Sequence, residues 1–258
     1  MSAVSSYRNT FAEDLALWQE LGVSRVGLTL AKIEAAGLDT AVSAIEASSL
    51  DVTNVIAFGP RLDDTATWKA HGERIRRGLE AASAMGASCA VLTTGPAGAL
   101  PWEAAAERFG DFVSHVHGAA AMPLLLEHTN SLRADVGFVH TLRDAVDLVR
   151  SIGLGVLCEL NACWSERAVH QTIRDSTDVI GLVQVSDYVI GTKDTPNRAV
   201  PGDGDIPLDQ LFRTLIDAGY DGVFDIELIG PLIEDEGYES AIRRSVTAVD
   251  ALLRAAGA

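Results

Sequence analysis

Cysteine is scarce in this chain of 258 residues, and its spacing argues against several kinds of structure. The three cysteines, Cys89, Cys158 and Cys163, form no Cys-x-x-Cys pair. Three is an odd number, and a chain of this size can build a core without covalent cross-links. We therefore expect neither a disulfide framework nor a thiolate metal site, and a reducing cytoplasm is the expected location.

Basic residues are outnumbered, since the chain has 20 Lys and Arg against 36 Asp and Glu and a formal net charge of −16. Proteins that bind nucleic acid or anionic membranes need a basic surface, so both partners are disfavoured. No apolar run is long enough to span a bilayer, and residues 1–14 contain no apolar stretch of signal-peptide length. The expected partner is a small-molecule substrate, and a homo-oligomer is compatible with the sequence.

Apolar residues make up 48% of the chain, which is enough to bury a large core. Many of them fall in short, nearly continuous runs, which are typical of parallel strands buried on both faces. The seven predicted strands cover residues 25–30, 52–58, 88–92, 123–126, 154–158, 179–185 and 222–228, and a weaker candidate covers residues 4–7.

Amphipathic segments separate the predicted strands. The first covers residues 11–21, where Thr10 and Glu13 form a capping-box pattern before the helix and Gly22 ends it. Pro101 stands where the first residue of another helix is expected. Similar apolar stripes end at Gly86, Gly153 and Gly219, and a last stripe covers residues 242–253.

About eight strand–helix units in a chain of this length predict a (β/α)8 TIM barrel. No linker or low-complexity segment divides the chain, so we expect a single domain over residues 1–258. The rival architecture, a doubly wound open sheet, usually has a glycine-rich nucleotide turn after its first strand, and none occurs here. The Gly-x-Gly at Gly202 and Gly204 has Pro207 in the third-glycine position and is predicted to be a loop.

Polar side chains stand at the ends of the last four predicted strands, where a barrel carries its chemistry. Any one buried glutamate alone is better explained as a helix cap or a paired surface charge. Three that converge on one mouth would repel each other unless a cation neutralised them, so the set favours a metal site. Carboxylate and amide oxygens suit hard ions such as Mg²⁺ or Mn²⁺ better than zinc. The candidate ligands are Glu127, Glu159, Gln184 and Glu227.

Nearly the whole chain resembles a known family, and the resemblance is sharpest over residues 181–231, which include the last two of these strands. Residues 183–187, 198–206, 219–222 and 225–227 are similar to the xylose isomerase-like sugar phosphate isomerase/epimerase barrels. The resemblance implies one divalent ion, Mn²⁺ or Mg²⁺ with Co²⁺ as a further option, bound at the ends of the last four predicted strands. Carried over by position, the implied ligands are the same Glu127, Glu159, Gln184 and Glu227. It also implies that two of them, Glu127 and Glu227, are the catalytic acid and base.

Three positions depart from the commonest pattern of that family. Glu159 stands where Asp is usual, and Ala162 stands where the family often has His. Gln184 stands where sugar epimerases have His, and this makes the chain similar to the hydroxypyruvate isomerase and 3-dehydroshikimate dehydratase branches.

Further candidates for substrate contact lie close to the predicted site. His128 adjoins Glu127, and Arg198 follows the predicted strand over residues 179–185. Trp164, after the strand over residues 154–158, and Trp102, after the strand over residues 88–92, could each flank a ring-shaped substrate. Helix packing is an equally good explanation for either tryptophan. Surface or core roles are expected for the remaining histidines, His71, His115, His117, His140 and His170.

Three functions remain open from the sequence. The first is a metal-dependent isomerase or epimerase of a small hydroxy-carbonyl compound, in which one glutamate removes a carbon-bound proton and another returns it. The second is a lyase of the 3-dehydroshikimate dehydratase type, for which His128 is a candidate general acid. The third is a non-catalytic binding barrel. Metal content separates the third function from the others, and deuterium exchange without loss of water separates the first from the second.

Overall fold

Seven parallel strands pair in the order of the sequence, each with its neighbour along the chain. The structure, a computed structural model, describes residues 1–116, 118 and 122–258. The seven strands predicted from the sequence are confirmed, each to within two residues of its bounds. They are β1 Arg25–Thr29, β2 Asp51–Ala57, β3 Cys89–Thr93, β4 Leu124–Glu127, β5 Gly155–Glu159, β6 Ile180–Val185 and β7 Phe224–Ile226.

The weaker strand predicted over residues 4–7 is wrong, because Ala3–Ser6 forms a short 3-10 helix. Its cause is local: the Ser2 hydroxyl accepts a hydrogen bond from the backbone of Val4 and so begins a turn. The position of an eighth strand is filled by a single residue, Ser2, which forms a parallel bridge to Gly27.

Residues 1 and 2 close the barrel between its first and last strands. The backbone N–H of Gly27 in β1 donates to the carbonyl of Met1 at 2.9 Å, and the N–H of Ser2 donates to the carbonyl of Ile226 in β7 at 2.9 Å. We call this junction the seam. The predicted (β/α)8 barrel is therefore confirmed, with one of its eight strand positions reduced to a bridge.

Helices connect the strands on the outside of the barrel. The predicted capping box is present, since Thr10 and Glu13 bond each other's backbone at the start of the first helix and Gly22 ends that helix in a left-handed conformation. The helix predicted from Pro101 begins one residue later. The helices are α1 Phe11–Leu21, α2 Leu30–Ala36, α3 Leu38–Glu46, α4 Trp68–Ala84, α5 Trp102–Val116, α6 Leu142–Ile152, α7 Leu160–Cys163, α8 Val169–Ser176, α9 Leu208–Asp217, α10 Pro231–Glu236 and α11 Tyr238–Ala256.

Within the described residues, no helix combines the length and the apolar character that a bilayer crossing needs. The histidine at position 117, which the sequence places on a helix, lies outside the described residues.

The core has two parts, and the smaller one fills the barrel. Ile56, Val91, Leu125, Leu157 and Leu182 pack together inside the ring of strands, while a larger cluster lies between the strands and the helices. The apolar interior therefore ends where the strands end, and the carboxyl mouth above it is left for polar side chains.

A buried ion pair holds the 3-10 helix against the rest of the fold. The ammonium of Lys32 lies 2.6 Å from the Asp14 carboxylate and donates to the carbonyls of Ala3 at 2.8 Å and Ser6 at 2.9 Å. The Asp14 side chain is fully buried. All three donors of the ammonium are thus used, and the segment that follows the seam is fixed in place.

Loss of this ion pair should destabilise the protein. We expect Lys32→Met to lower the free energy of unfolding by about 3 kcal/mol, because it leaves the buried Asp14 without its counter-ion. Arg254→Met, which removes one partner of the exposed pair with Asp250 on α11, is the control and should cost less than about 1 kcal/mol. Denaturant titrations of both variants measure the difference, and equal losses would contradict a structural role for the Lys32 pair.

Candidate active site

The structure brings the four predicted ligands to one mouth of the barrel. Glu127 ends β4, Glu159 ends β5, Gln184 lies in β6 and Glu227 directly follows β7. Glu159 pairs in register with Gln184, so both side chains point to the same face of the sheet. Leu157 pairs with Glu127 and lies inside the barrel, which identifies this face as the interior.

Glu227 joins this set through the strand period of two. Gln184 pairs with Asp225, and Glu227 is the second residue after Asp225 and therefore points to the same side. The Glu227 carboxylate accepts a hydrogen bond from the Gln184 amide at 2.6 Å and from the Ser2 hydroxyl at 3.3 Å. Glu227 is thus held from one side by β6 and from the other by the seam.

Arg198 lies between two of the glutamates. Its Nη1 atom is 2.8 Å from Glu159 Oε2 and 3.1 Å from Glu227 Oε1, and it also donates to the Glu227 carbonyl at 3.1 Å. The Arg198 side chain is 14% exposed, so both ion pairs are largely shielded from water.

The loop that carries Arg198 is fixed by one buried carboxylate, that of Asp187. This carboxylate accepts hydrogen bonds from the backbone N–H groups of Gly202, Gly204 and Ile206. A Cβ atom on Gly204 would overlap the carboxylate, so glycine is required there. The Gly-x-Gly segment is accordingly a loop, as the sequence predicts, and its function here is to hold the chain around Arg198.

Burial and mutual repulsion raise the pKa values of two of the glutamates. The pKa of Glu127 is well above its usual range because the group is desolvated and faces the charges of Glu227 and Glu159. Burial raises the pKa of Glu227 to about 7, although Arg198 opposes the shift. Burial acts to lower the pKa of Arg198, but Glu159 and Glu227 outweigh it and the pKa is raised. The site therefore holds protons more tightly than ordinary carboxylates do.

Several further polar residues, which the sequence pattern does not single out, form hydrogen bonds in and beside this group of four predicted ligands. The backbone N–H of Asn161 donates to Glu159 Oε1 at 3.0 Å, since Glu159 is the N-cap of α7. Asp225, fully buried, accepts a hydrogen bond from Asn54 at 3.3 Å, and the amino group of Met1 lies 3.3 Å from its other oxygen. The period of two from Glu227 is a sequence signal for Asp225. Ser2 has no such signal, because its contact depends on barrel closure.

His128 is fully buried, and its side chain contacts the backbone of β5. Its Nε2 atom accepts a hydrogen bond from the N–H of Glu159 at 3.2 Å, and burial lowers its pKa to about 3. One ring nitrogen and the sulfurs of Cys158 and Cys163 all lie within 4.8 Å of one another, and the two sulfurs are 4.0 Å apart. The predicted contact of His128 with substrate stays a prediction; the observed contact is with the strand that carries Glu159.

The structure does not bring Trp164 to the mouth. The short helix α7 ends just before it, and the half-buried ring packs against the core between strands and helices. Trp102 packs edge-on against Phe138. Neither tryptophan lines the cleft described below. The histidines at positions 71, 115, 140 and 170 form hydrogen bonds with Phe58, Asp111, Thr129 and Thr214, away from the four ligands.

The donor set at the mouth has the chemistry of a site for a divalent ion. The amide oxygen of Gln184 is buried and has no hydrogen-bond partner among the described residues, and Glu159 Oε2 contacts only Arg198 there. Three ionised carboxylates and one guanidinium sum to −3 + 1 = −2, which a divalent cation neutralises. An all-oxygen donor set suits Mg²⁺ or Mn²⁺. Arg198 lies between Glu159 and Glu227, and the three carboxylates are not all within 4.8 Å of one another in this arrangement.

A cleft of about 1150 Å³ opens above these residues. The carboxylates and Arg198 lie on its floor, and α1, α2 and the loops after the strands form its walls. Clefts that bind small molecules enclose roughly 300–1,000 Å³, so this one has room for a substrate.

The closed parallel barrel and the acidic residues at its carboxyl mouth place this chain among TIM barrels that have carboxylates in the candidate site. Within that class, residues 15–248 match the xylose isomerase-like TIM barrel family, and the chain belongs to it. No protein of curated function matches the sequence.

Three solved structures show the same fold over nearly the whole chain. Protein SMc04130 from Sinorhizobium meliloti 1021 is 23% identical with a TM-score of 0.86, and the match covers 98% of each chain. The IOLI protein, solved with a zinc atom, is 16% identical over 98% of this chain and 96% of its own, with a TM-score of 0.78. D-psicose 3-epimerase from Clostridium cellulolyticum H10, solved with D-tagatose, is 16% identical over 97% and 95%, with a TM-score of 0.77.

The raised pKa of Glu227 predicts how the metal-free protein responds to pH. The pKa is about 7 in the folded state and about 4.3 in the unfolded chain, so the folded state binds this proton more tightly. That contribution to stability is complete below about pH 4 and is lost as the pH rises through 7. The quantity to compare is the unfolding free energy of Glu227→Gln minus that of wild type, both measured in the presence of a chelator. We expect this difference to be more positive at pH 8 than at pH 4.5 by at least about 1 kcal/mol, because only the wild type loses a favourable proton as the pH rises.

Denaturant titrations at the two pH values measure this difference. Glu239→Gln, which changes an exposed carboxylate on α11, is the matched control and should behave alike at both. A Glu227→Gln effect that is the same at pH 4.5 and pH 8 would contradict the raised pKa.

Proposed function

We propose that this protein is a divalent-metal-dependent isomerase or epimerase of a small hydroxy-carbonyl compound. One observation carries the proposal: two glutamates with raised pKa values, Glu127 and Glu227, face one cleft from strands β4 and β7. These strands are three apart in the barrel, so the two carboxylates approach a bound molecule from different directions. Carboxylates whose pKa lies near the working pH are suited to accepting and returning a proton.

The residues that would hold the ion are Glu127, Glu159, Gln184 and Glu227. A divalent ion supplies Lewis acidity, which stabilises the negative charge that develops on a carbonyl oxygen when the neighbouring carbon loses its proton. The solved relatives support this assignment, since one of them carries zinc and another is an epimerase by name.

The chain's own side chains would divide the proton transfer between them. One of Glu127 and Glu227 removes the proton from the carbon beside the carbonyl, and the other returns a proton to the far face or to the adjacent carbon. Arg198 places a permanent positive charge beside both Glu159 and Glu227, where it orients substrate oxygens and limits the repulsion among the carboxylates. Glu159, fixed by the N–H of Asn161, serves as a ligand.

The lyase alternative begins with the same proton abstraction but needs a general acid near the leaving hydroxyl. The sequence offered His128, whose ring is buried and bonded to the backbone of Glu159. The isomerase therefore accounts for more of the geometry. The non-catalytic alternative differs from both in predicting no proton exchange.

Proton exchange tests the proposed reaction. Purified protein with added Mg²⁺, incubated in D₂O with ketoses, hydroxypyruvate or dehydroshikimate, should incorporate deuterium next to the carbonyl of its substrate without loss of water. Glu127→Gln and Glu227→Gln should each slow this exchange by two or more orders of magnitude, roughly the contribution of a positioned acid or base. Mass spectrometry and proton NMR measure both the incorporation of deuterium and any loss of water.

Two controls complete this experiment. Glu234→Gln, which alters a carboxylate at the cleft that pairs with Arg8, should keep most of the exchange rate. Full exchange after exhaustive chelation would refute the metal-dependent reaction, and loss of water from the product would assign the lyase instead.

Gln184 tests the composition of the metal site. Its amide oxygen, which has no hydrogen-bond partner among the described residues, would be the neutral donor of the set, and Gln184→His replaces it with a nitrogen donor without changing the charge. Imidazole favours Co²⁺ and Zn²⁺ over Mg²⁺ more than an amide oxygen does. Calorimetric titration of metal-free wild type and variant should show the Co²⁺-to-Mg²⁺ affinity ratio rising in the variant. An unchanged ratio would reduce the ligand set to the three glutamates.

A further inference from the structure

Exposed apolar side chains concentrate at the mouth of the barrel. Of the eight large apolar side chains that are exposed within the described residues, seven lie in the segments that follow the carboxyl ends of the strands or the seam. The eighth, Val246, lies on the outer helix α11. Isolated exposed apolar residues are ordinary on protein surfaces, so the informative ones are those that share one cleft.

Three of these side chains line the same cleft as the catalytic glutamates. They are Tyr7, Phe58 and Leu132, which are 62%, 54% and 68% exposed. They follow the seam, β2 and β4, respectively, so they line the cleft from three alternate strand positions. We call these three residues the apolar rim. Because the rim and the carboxylate floor belong to one continuous cleft, one molecule can contact both.

The cationic side chains of the cleft offer little to an anionic group. Five of them line it, and each already contacts a carboxylate at 2.6–3.1 Å: Arg8 with Glu234, Lys32 with Asp14, Arg74 with Glu34, Arg133 with Asp135, and Arg198 with Glu159 and Glu227. A phosphate or carboxylate on the substrate would have to compete with these partners in a chain of net charge −16.

We propose that the substrate has two parts: a hydroxylated unit that reaches the carboxylate floor, and an uncharged apolar group, such as an aryl ring, that packs against the apolar rim. The identity of the reacting unit rests on the proposed function. The apolar group rests on the rim, the paired cations and the cleft of about 1150 Å³, which is larger than a simple sugar needs.

Two neutral glucosides that differ in one substituent test this inference. Methyl and phenyl β-D-glucopyranoside share the hydroxylated ring, and neither has a free carbonyl to react. In calorimetric titrations of the purified protein with Mg²⁺, the phenyl compound should bind at least about ten-fold more tightly, since a buried ring is worth this much. A 4-carboxyphenyl glucoside should lose most of that gain, because no unpaired cation receives its charge.

Rim variants connect the preference to the named residues. Phe58→Ala combined with Leu132→Ala should weaken binding of the phenyl glucoside at least about five-fold and leave the methyl glucoside within two-fold. Both side chains are exposed, so the double variant should fold, and thermal unfolding checks this. Val246→Ala removes an equally apolar exposed side chain outside the cleft and should change neither affinity.

Each contrary result overturns the proposal. These results are equal affinities for the two glucosides, no measurable binding of the phenyl compound, or a phenyl preference that survives in the double variant. Dissociation of a dimer by the double variant, with no phenyl preference in wild type, would assign the rim to contact between copies. Failure of the proposed function is recognised separately: it would appear as no deuterium incorporation by the wild-type protein with any of the tested carbonyl compounds, while the phenyl preference in binding remained.

Discussion

The charge balance at the carboxyl mouth is the constraint on which the site depends. Three carboxylates are drawn out of water at the end of an apolar barrel interior, where like charges repel strongly. Arg198 lies between Glu159 and Glu227 and removes part of that repulsion. With all three carboxylates ionised, a charge of −2 would remain, which is the charge that the proposed divalent cation would neutralise.

This charge balance is built from distant parts of the chain. Arg198 stands in the long connection between β6 and α9, and that connection is held by Asp187, whose carboxylate gathers three backbone N–H groups. The backbone N–H of Arg198 also donates to the carbonyl of Ile229, in the segment after β7. The position of the cation is therefore set by two successive strand ends, which are also the ends that supply Gln184 and Glu227.

The sequence predicts the elements whose physical cause is local. Continuous apolar runs predict all seven strands, and the Thr10–Glu13 capping box predicts the limits of α1. Parallel strands also explain why Glu127, Glu159, Gln184 and Glu227 could be placed at one mouth without knowledge of their distances. The same alternation could have oriented His128, because a residue next to an inward-facing Glu127 points to the opposite face of the strand.

What the sequence does not predict depends on contacts between distant residues. The guanidinium of Arg198 could be assigned to a loop but not to a position between two glutamates, since that position depends on Asp187. The seam could not be recognised because a bridge of one residue has no periodicity, and Ser2 takes part only when the two ends of the sheet meet. Trp164 is turned from the cleft by α7, a helix of four residues that is too short to show a periodic pattern.

The seam also divides the barrel into regions of unequal local stability. The strands β1 to β7 are joined by continuous pairings, whereas among the described residues no backbone pairing joins β1 directly to β7. Residues 1 and 2 lie between the two strands, and the Ser5 hydroxyl adds hydrogen bonds to Ile226 and Leu228 of the β7 side. Fluctuations that separate this junction would remove the Ser2 hydrogen bond from Glu227, so in the opened state that carboxylate would be held by β6 and Arg198 alone.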